Sequence, residues 1–502
     1  MKTGARLLPA ALAFACAALL FERISPQGFF DPDGYHQMAL FREWLWIGAL
    51  PHVDTFAFTH TIVPAVQHEW GAGAVLYFLA TKLGAGGVMV ARWLISAAVV
   101  VFAVRAARRR ATPVVVAFYA PAAALLAALA FTTIRAGLYT MLFLAVVLGE
   151  IDRDRDQPAP RRLLAIWLPV VALWINLHGG WIVGVIALGL HAVEQRVRRR
   201  KIGHLLVGLA AVPVLMALTP YGGDYFTGWW RSVTFPRAAV AEWAPLAHSA
   251  YVPGLAAFGL AVLLAVYAVA RRGVRACPGL PFLLATAFAA WQHERHVALF
   301  AMAWFCTVPG WLAATPLGAL LDGAVARRRV ALVVTVASLA AGLGLCAVAL
   351  PRHPFTLRVP AQGSDLETSP VVYPAGAVAY LSGVGFRGKL VTSFLNGGYV
   401  MWKLHPAARI SFDGRYEVAY AAEVMDEDRL LHRAGPGWQD LLARYTPDAV
   451  LVRRDENLAR ALPGTSGLAR VYRDDAYEVW ARPDRRLPPR DVTGAPVPVT
   501  FP

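Results

Sequence analysis

VALVVTVASLAAGLGLCAVAL, residues 330–350, follows Arg327-Arg-Arg329 and runs into Pro351-Arg-His-Pro354. The stretch carries no charge, and at 1.5 Å per helical residue it reaches about 30 Å, the hydrocarbon thickness of a bilayer. A basic cluster at one end marks the side of the membrane that keeps Lys and Arg. Beyond Pro351 no comparable run occurs, and charges and prolines are mixed throughout. The chain therefore divides into a membrane body, 1–350, and a soluble tail, 351–502, long enough to build its own core.

Working back from this stretch, similar apolar runs recur at 5–24, 70–83, 86–104, 112–132, 134–150, 163–178, 180–195, 203–219, 252–270, 279–293 and 297–315. With 57% hydrophobic and only 16% charged residues, the chain is too apolar for a soluble protein of 502 residues. The expectation is a mostly α, polytopic helical bundle of 11–13 spans. The tail holds 19 Lys/Arg against 17 Asp/Glu, so nearly all of the +16 net charge lies before it. There the arginines sit at span ends, as in Arg105-Ala-Ala-Arg-Arg-Arg110, Arg161-Arg162, Arg196 with Arg198-Arg-Arg-Lys201, and Arg271-Arg272. That distribution fits the positive-inside rule and excludes a nucleic-acid partner. It places the N-terminus in the cytoplasm. The loops 25–69 and 219–251 and the whole tail then lie outside. One segment conflicts: an internal Arg105–Arg110 needs an odd number of crossings over 70–104, which reads as two short spans. Lys2 and Arg6 before an apolar run also suit a signal peptide, but without a convincing cleavage site the retained anchor is preferred. Cys16, Cys277, Cys306 and Cys346 have no metal or redox spacing and read as buried small hydrophobes.

The external segments have their own patterns. Residues 34–50 read as an amphipathic helix lying on the membrane surface, with Tyr35, Phe41, Trp44 and Trp46 as interfacial rings. The loop 219–251 interleaves aromatic and charged residues, and the two loops together are expected to roof a cavity. In the tail, strand-like runs at 389–393, 409–412, 448–453, 468–473 and 476–481 alternate with helix-like runs at 375–383, 397–404, 420–434, 436–445 and 456–462. This is the pattern of a small α/β domain. Asn396-Gly-Gly-Tyr399 and Asp413-Gly-Arg415 mark turns.

Chemistry concentrates where the first loop opens, at Asp31-Pro-Asp33-Gly-Tyr-His36, and where it closes, at Gln67-His68-Glu69-Trp70. Pro32 restricts Asp31 to extended backbone. Asp33 can cap the following helix and has His36 three residues on. A plain helix cap with a solvated neighbour explains an isolated pair of this kind equally well. With His68 and Glu69, however, the set suits a general base, or an oxygen-rich site for Mg or Mn built on Asp33, His36 and His68. Within the spans, Arg135, Asn176, His178, Tyr221 and the run His293-Glu-Arg295-His296 are polar at membrane depth, where polar groups face a cavity or a partner. A packed, hydrogen-bonded His178 and a structural Glu294–Arg295 pair are the bland readings. Arg135 and Arg295 offer the forked donors that match phosphate oxygens. Walker A, Rossmann, HExxH and GxSxG patterns are missing.

An anchor span, an acidic pair opening an external loop, about a dozen spans and an external α/β tail together resemble the GT-C superfamily of membrane glycosyltransferases. The local strings are most similar to an uncharacterised bacterial multi-span family in that group. They stand here as Asp31-Pro-Asp33-x-x-His36, Pro51-His-x-Asp54, His68-Glu69-Trp70, Asn176-Leu-His-Gly-Gly180, Pro220-Tyr-Gly222, Glu242-Trp243-x-Pro245, Arg295-His296, Asn396-Gly-Gly-Tyr399 and Asp413-Gly-Arg415. One departure is Gly34-Tyr35, where relatives often carry an aromatic pair. The resemblance implies inverting transfer of a sugar from a polyprenyl-phosphate donor to a lipid, glycan or protein acceptor outside the membrane. Asp31 or Asp33 would be the base, His36 and Glu69 would assist, and Tyr221, Glu242, His296 and the polar span residues would bind substrate. A flippase for lipid-linked glycans or a non-catalytic envelope scaffold also fits part of the pattern, but neither needs the acids of the first loop.

Overall fold

The computed structural model of the chain describes residues 4–25, 28–127, 133–235, 243–249, 252–359, 372–464, 467–493 and 500–502. It is mostly helical, with a small sheet near the C-terminus. Among the described residues, six helical stretches are long and apolar enough to cross a membrane: Leu7–Ile24, Trp70–Ala107, Pro160–Leu177, Val252–Arg272, Glu294–Ala313 and Arg328–Arg352. Shorter apolar helices cover Pro113–Leu126, Gly203–Ala217, Leu280–Gln292 and Pro316–Ala326. The ambiguous segment 70–104 consists of two helical pieces that meet at Gly84, with φ 65° and ψ −163°. Only glycine takes that backbone at little cost, so the join is written into the sequence.

By internal contacts the chain forms two compact units. One comprises residues 1–28, 89–215 and 237–356; the other comprises 29–88, 216–236 and 357–502. In the first unit, Val297–Ala313 is apolar all round and buried along most of its length. A helix with no polar face has to be surrounded. Pro113–Ala127, Val252–Arg272 and Leu280–Gln292 pack on it, and Trp304 Nε1 donates to the Ala261 carbonyl at 2.8 Å. The Arg105–Arg110 cluster is more than a topological mark: Arg109 and Arg110 pair with Asp152 at 3.1 and 2.6 Å.

The second unit gathers the first loop and part of the 219–251 loop with the tail. Its sheet has strands β1 (Gly388–Val391), β2 (Ala408–Ile410), β3 (Ala449–Arg453), β4 (Ala469–Arg473), β5 (Tyr477–Ala481) and β6 (Arg490–Asp491), in spatial order β2-β1-β3-β5-β4-β6. The pairs β1–β2 and β1–β3 are parallel, while β5 runs antiparallel to β3 and β4. Val391, Val450 and Val452 face a core with Leu431, Trp438, Leu441 and Trp480, as the period-two alternation of strands requires. The open edge of β2 is covered by the first loop: Phe58 N–H donates to the Ile410 carbonyl and Ile410 N–H to the Phe56 carbonyl, both at 2.9 Å. Covering an edge in this way blocks pairing with other chains.

Four helices of this unit position the site: α1 (Pro32–Ile47), α2 (Phe394–Leu404), α3 (Ala422–His432) and α4 (Trp438–Tyr445). The surface-lying amphipathic helix expected over 34–50 is corrected here. Tyr35, Met38, Ala39, Leu40 and Phe41 of α1 are buried within the unit, against α2 and the Trp70–Phe78 helix. Only its last turn exposes apolar side chains, Leu45, Trp46 and Ile47. The period of the apolar residues was legible, but a helical stripe looks the same whether lipid or protein covers it.

Candidate functional site

The local sequence starts α1 at a defined place. Asp31 is extended, with φ −71° and ψ 141°, as a residue before proline must be, and Pro32 occupies the first turn. Asp31 Oδ1 accepts from Asp33 N–H at 3.0 Å. The cap is thus Asp31, not Asp33, and it is buried. This exchange leaves the Asp33 side chain 35% exposed, with its Oδ1 4.0 Å from His36 Nδ1, while the His36 side chain is only 7% exposed. His36 Nδ1 is buried and makes no hydrogen bond. Gly34 is dictated by packing, because a Cβ there would stand 2.8 Å from the Phe30 ring.

Two tail motifs close on this turn. A Cβ on Gly414 would meet Asp33 Oδ1 at 3.2 Å and His36 Nδ1 at 3.5 Å, and one on Gly398 would meet the Pro32 carbonyl at 2.9 Å. A Cβ on Gly397 would lie 2.1 Å from the Phe412 carbonyl. Gly397→Ala should raise the propensity of α2 to be a helix, yet we expect it to destabilise the fold by about 1–3 kcal/mol, seen as a lower thermal midpoint, because the backbone contact leaves no room. A rise in the midpoint would mean that this contact is not there.

Behind the Asp413-Gly-Arg415 turn lies a buried charge network. Arg415 Nε and Nη2 donate to Asp413 at 3.0 and 2.8 Å, and Arg415 Nη1 donates to Asp54. Tyr420 Oη donates to Asp413 Oδ2 at 2.9 Å. Asp54 in turn accepts from the N–H groups of Phe56 and Ala57 at 3.0 and 2.7 Å. Burial alone would raise the Asp413 carboxyl, but the Arg415 charge and its hydrogen bonds outweigh this and hold it below its ordinary value. The sequence marks Asp413–Arg415 only as a turn and gives Asp54 no role. The Asp54–Arg415 pairing spans 361 residues, so no local signal carried it.

Close packing also brings in the end of the first loop. A Cβ on Gly73 would lie 2.5 Å from the Gln37 carbonyl, so α1 and the Trp70–Phe78 helix run nearly backbone to backbone. Gln37 Nε2 donates to Glu69, and His68 Nε2 lies 3.8 Å from Glu69 Oε1. Burial pushes His36 down to about 4; the Asp413 charge opposes this, and the Arg415 and His68 charges add to it. His36 is therefore neutral near pH 7. Its folded value is below the ordinary one near 6.5, so its contribution to stability is present above pH 6.5 and is lost as pH falls toward 4. Between those limits, wild type should lose thermal stability relative to His36→Asn. Parallel melting-temperature curves for the two proteins would contradict a buried neutral ring.

The expected residues thus divide between the two units. Asp31, Asp33, His36, His68 and Glu69 converge in the second. Tyr221 is also there, buried, with its ring 5.4 Å from that of His52, whose Nδ1 lies 2.9 Å from Asp224 Oδ2. In the first unit, His178 Nδ1 accepts from Gly180 N–H at 2.9 Å and lies 2.7 Å from Thr140 Oγ1. Trp174 Nε1 also donates to Thr140 Oγ1, at 2.8 Å, so the ring is part of the helix packing. Asn176 Nδ2 donates to the Ala172 carbonyl at 2.8 Å. Arg295 lies over the Trp243 ring at 4.6 Å, and His293 and His296 flank that ring at 5.0 and 5.6 Å. Arg135 lies two residues before the Gly137–Asp156 helix, next to its N-cap Ala136. Glu242 falls outside the described residues.

Among the described residues, no three His, Cys, Asp or Glu side chains are arranged to hold a metal ion, and the set Asp33, His36 and His68 is no exception. No protein-family model matches the chain, and no curated protein shows significant similarity to it.

Proposed function

We propose that this chain is a membrane glycosyltransferase of the GT-C type, acting on the extracytoplasmic face of a bacterial inner membrane. It passes a sugar from a polyprenyl-phosphate donor to a lipid, glycan or protein acceptor. The observation that carries the reading is the first turn of α1. A partly exposed carboxylate, Asp33, stands beside a neutral histidine with an unpaired ring nitrogen, and a buried Asp413–Arg415–Asp54 network fixes the wall behind them. The apolar helices, with outward Leu332, Val333, Val336 and Leu343 on the Arg328–Ala349 helix, support the membrane setting.

In the proposed step the acceptor X–H gives its proton to the Asp33 carboxylate. The X–C1 bond forms as the bond from C1 to the phosphate oxygen breaks, with inversion at C1. The electron pair of the broken bond stays on polyprenyl phosphate. Neutral His36 packs beside that carboxylate, 4.0 Å away, and helps to set its position. A fixed cation at the phosphate would stabilise the charge that develops there. Purified chain in proteoliposomes should convert a polyprenyl-phosphate-linked sugar to glycosylated acceptor and free polyprenyl phosphate. A panel of such donors left intact, with acceptor extracts of the same envelope present, would end this reading.

A further inference from the structure

The sheet of the second unit has a feature that the transfer chemistry does not use. From β1 the chain crosses through α2 to β2, and from β2 it returns past β1 through α3 and α4 to β3, so the direction of the crossovers reverses at β1. The carboxyl ends of β1 and β3 therefore flank a topological switch point, the place where open α/β sheets leave a crevice for ligands. A cavity of about 240 Å³ lies there. Ser393 and Phe394, which follow β1, Arg453 at the end of β3 and Glu456 just beyond it line the cavity, with Arg433 and His432 at the end of α3.

Of the charged residues that line the cavity, Arg429, His432, Arg433 and Arg453 are basic and only Asp428 and Glu456 are acidic. His432 Nδ1 lies 2.7 Å from Glu456 Oε2, and its Nε2 lies 3.5 Å from Asp428 Oδ1. Burial acts to lower the ring, but these two carboxylates overcome it and push it up to about 9. His432 thus neutralises much of the acid in the wall. Arg453 is bound to Asp455 at 2.6 Å, but Arg433 is exposed and has no carboxylate partner among the described residues. The 11-residue α2 also begins at the cavity, and the Ser393 side chain makes no capping bond to it. Asn396 and Gly397 N–H donate to the Ser393 carbonyl at 3.1 and 2.9 Å, which leaves the first two N–H groups of the helix, those of Phe394 and Leu395, at its positive dipole end beside the cavity. The volume falls below the ~300–1,000 Å³ of sites for drug-sized ligands, which sets an upper limit on the occupant.

We infer that this crevice is a second, separate binding site for a small phosphate monoester, with the phosphoryl group between Arg433, Arg453 and the start of α2 and a body no larger than one sugar ring. Charge selects the phosphate, and the cavity volume limits what it carries. Titration calorimetry on the full chain in detergent, at constant ionic strength, tests this with inorganic phosphate and glucose 6-phosphate as probes. Both should bind saturably, the sugar phosphate more tightly. Arg433→Gln and Arg453→Gln should each weaken binding about tenfold or more. Arg444→Gln, which removes an exposed arginine on α4 paired with Glu427, should leave binding unchanged. Absence of saturable heat would overturn the site, as would equal weakening by Arg444→Gln or binding indifferent to both cavity variants. An Asp33→Asn chain that loses transfer but still binds phosphate separates this inference from the transfer reading.

Discussion

Asp33→Asn is expected to leave a folded chain that transfers sugar about 10²–10⁴-fold more slowly, the usual loss when a positioned general base is removed. Asparagine keeps the size of the side chain and cannot take the acceptor proton. Asp33 is the right target because its carboxylate reaches water beside His36 while Asp31 caps α1 from a buried position. Asp31→Ala makes the contrast. It should cost roughly 1 kcal/mol of stability, as the loss of a helix cap does, and so lower the thermal midpoint, and reduce transfer only as far as the helix loosens. Product formation and melting temperature measured on both variants distinguish the two acids. If Asp33→Asn transfers at the wild-type rate, Asp33 is not the base and the proposed step fails.

The largest loss of stability should come from Arg415→Met. Arg415 is fully buried between Asp413 and Asp54, with its charge matched by both. Removing it leaves two carboxylates facing each other without a cation, a situation that costs about 3–5 kcal/mol. The variant should melt far below wild type in detergent, and adding Asp413→Asn to it should recover part of the loss. That recovery is the diagnostic result, because residues in one network are not additive. A single variant as stable as wild type would mean that the network does not brace the α1 turn.

Much of this was readable in the chain. All five strand-like runs of the tail coincide with strands to within about two residues, and the helix-like runs coincide with helices, with the start of α2 three residues earlier than read. Those elements are set by local alternation and by turn residues such as Gly414, whereas Asn396-Gly-Gly-Tyr399, read as a turn, lies inside α2. The acids of the first loop were legible for a similar reason: a proline between two aspartates fixes local geometry. Their division of labour was not legible. Whether Asp31 or Asp33 caps the helix depends on one backbone angle and on the Phe30 ring packed against Gly34, and a sequence pattern encodes neither.

Apolar run length and Arg placement are one-dimensional, so the sequence by itself determined the apolar helices, the start of the mixed tail and the candidate acids. Tertiary structure decided which residues of the first loop fold with the tail. It buried α1 rather than leaving it on a surface, and it brought Asp54, Asp413 and Arg415 to the back of the Asp33–His36 turn. The physical reason is that close approach of backbones at Gly73, Gly397 and Gly398 and the pairing of buried charges are long-range effects. They depend on what stands opposite a residue in space, which neighbours in sequence do not specify.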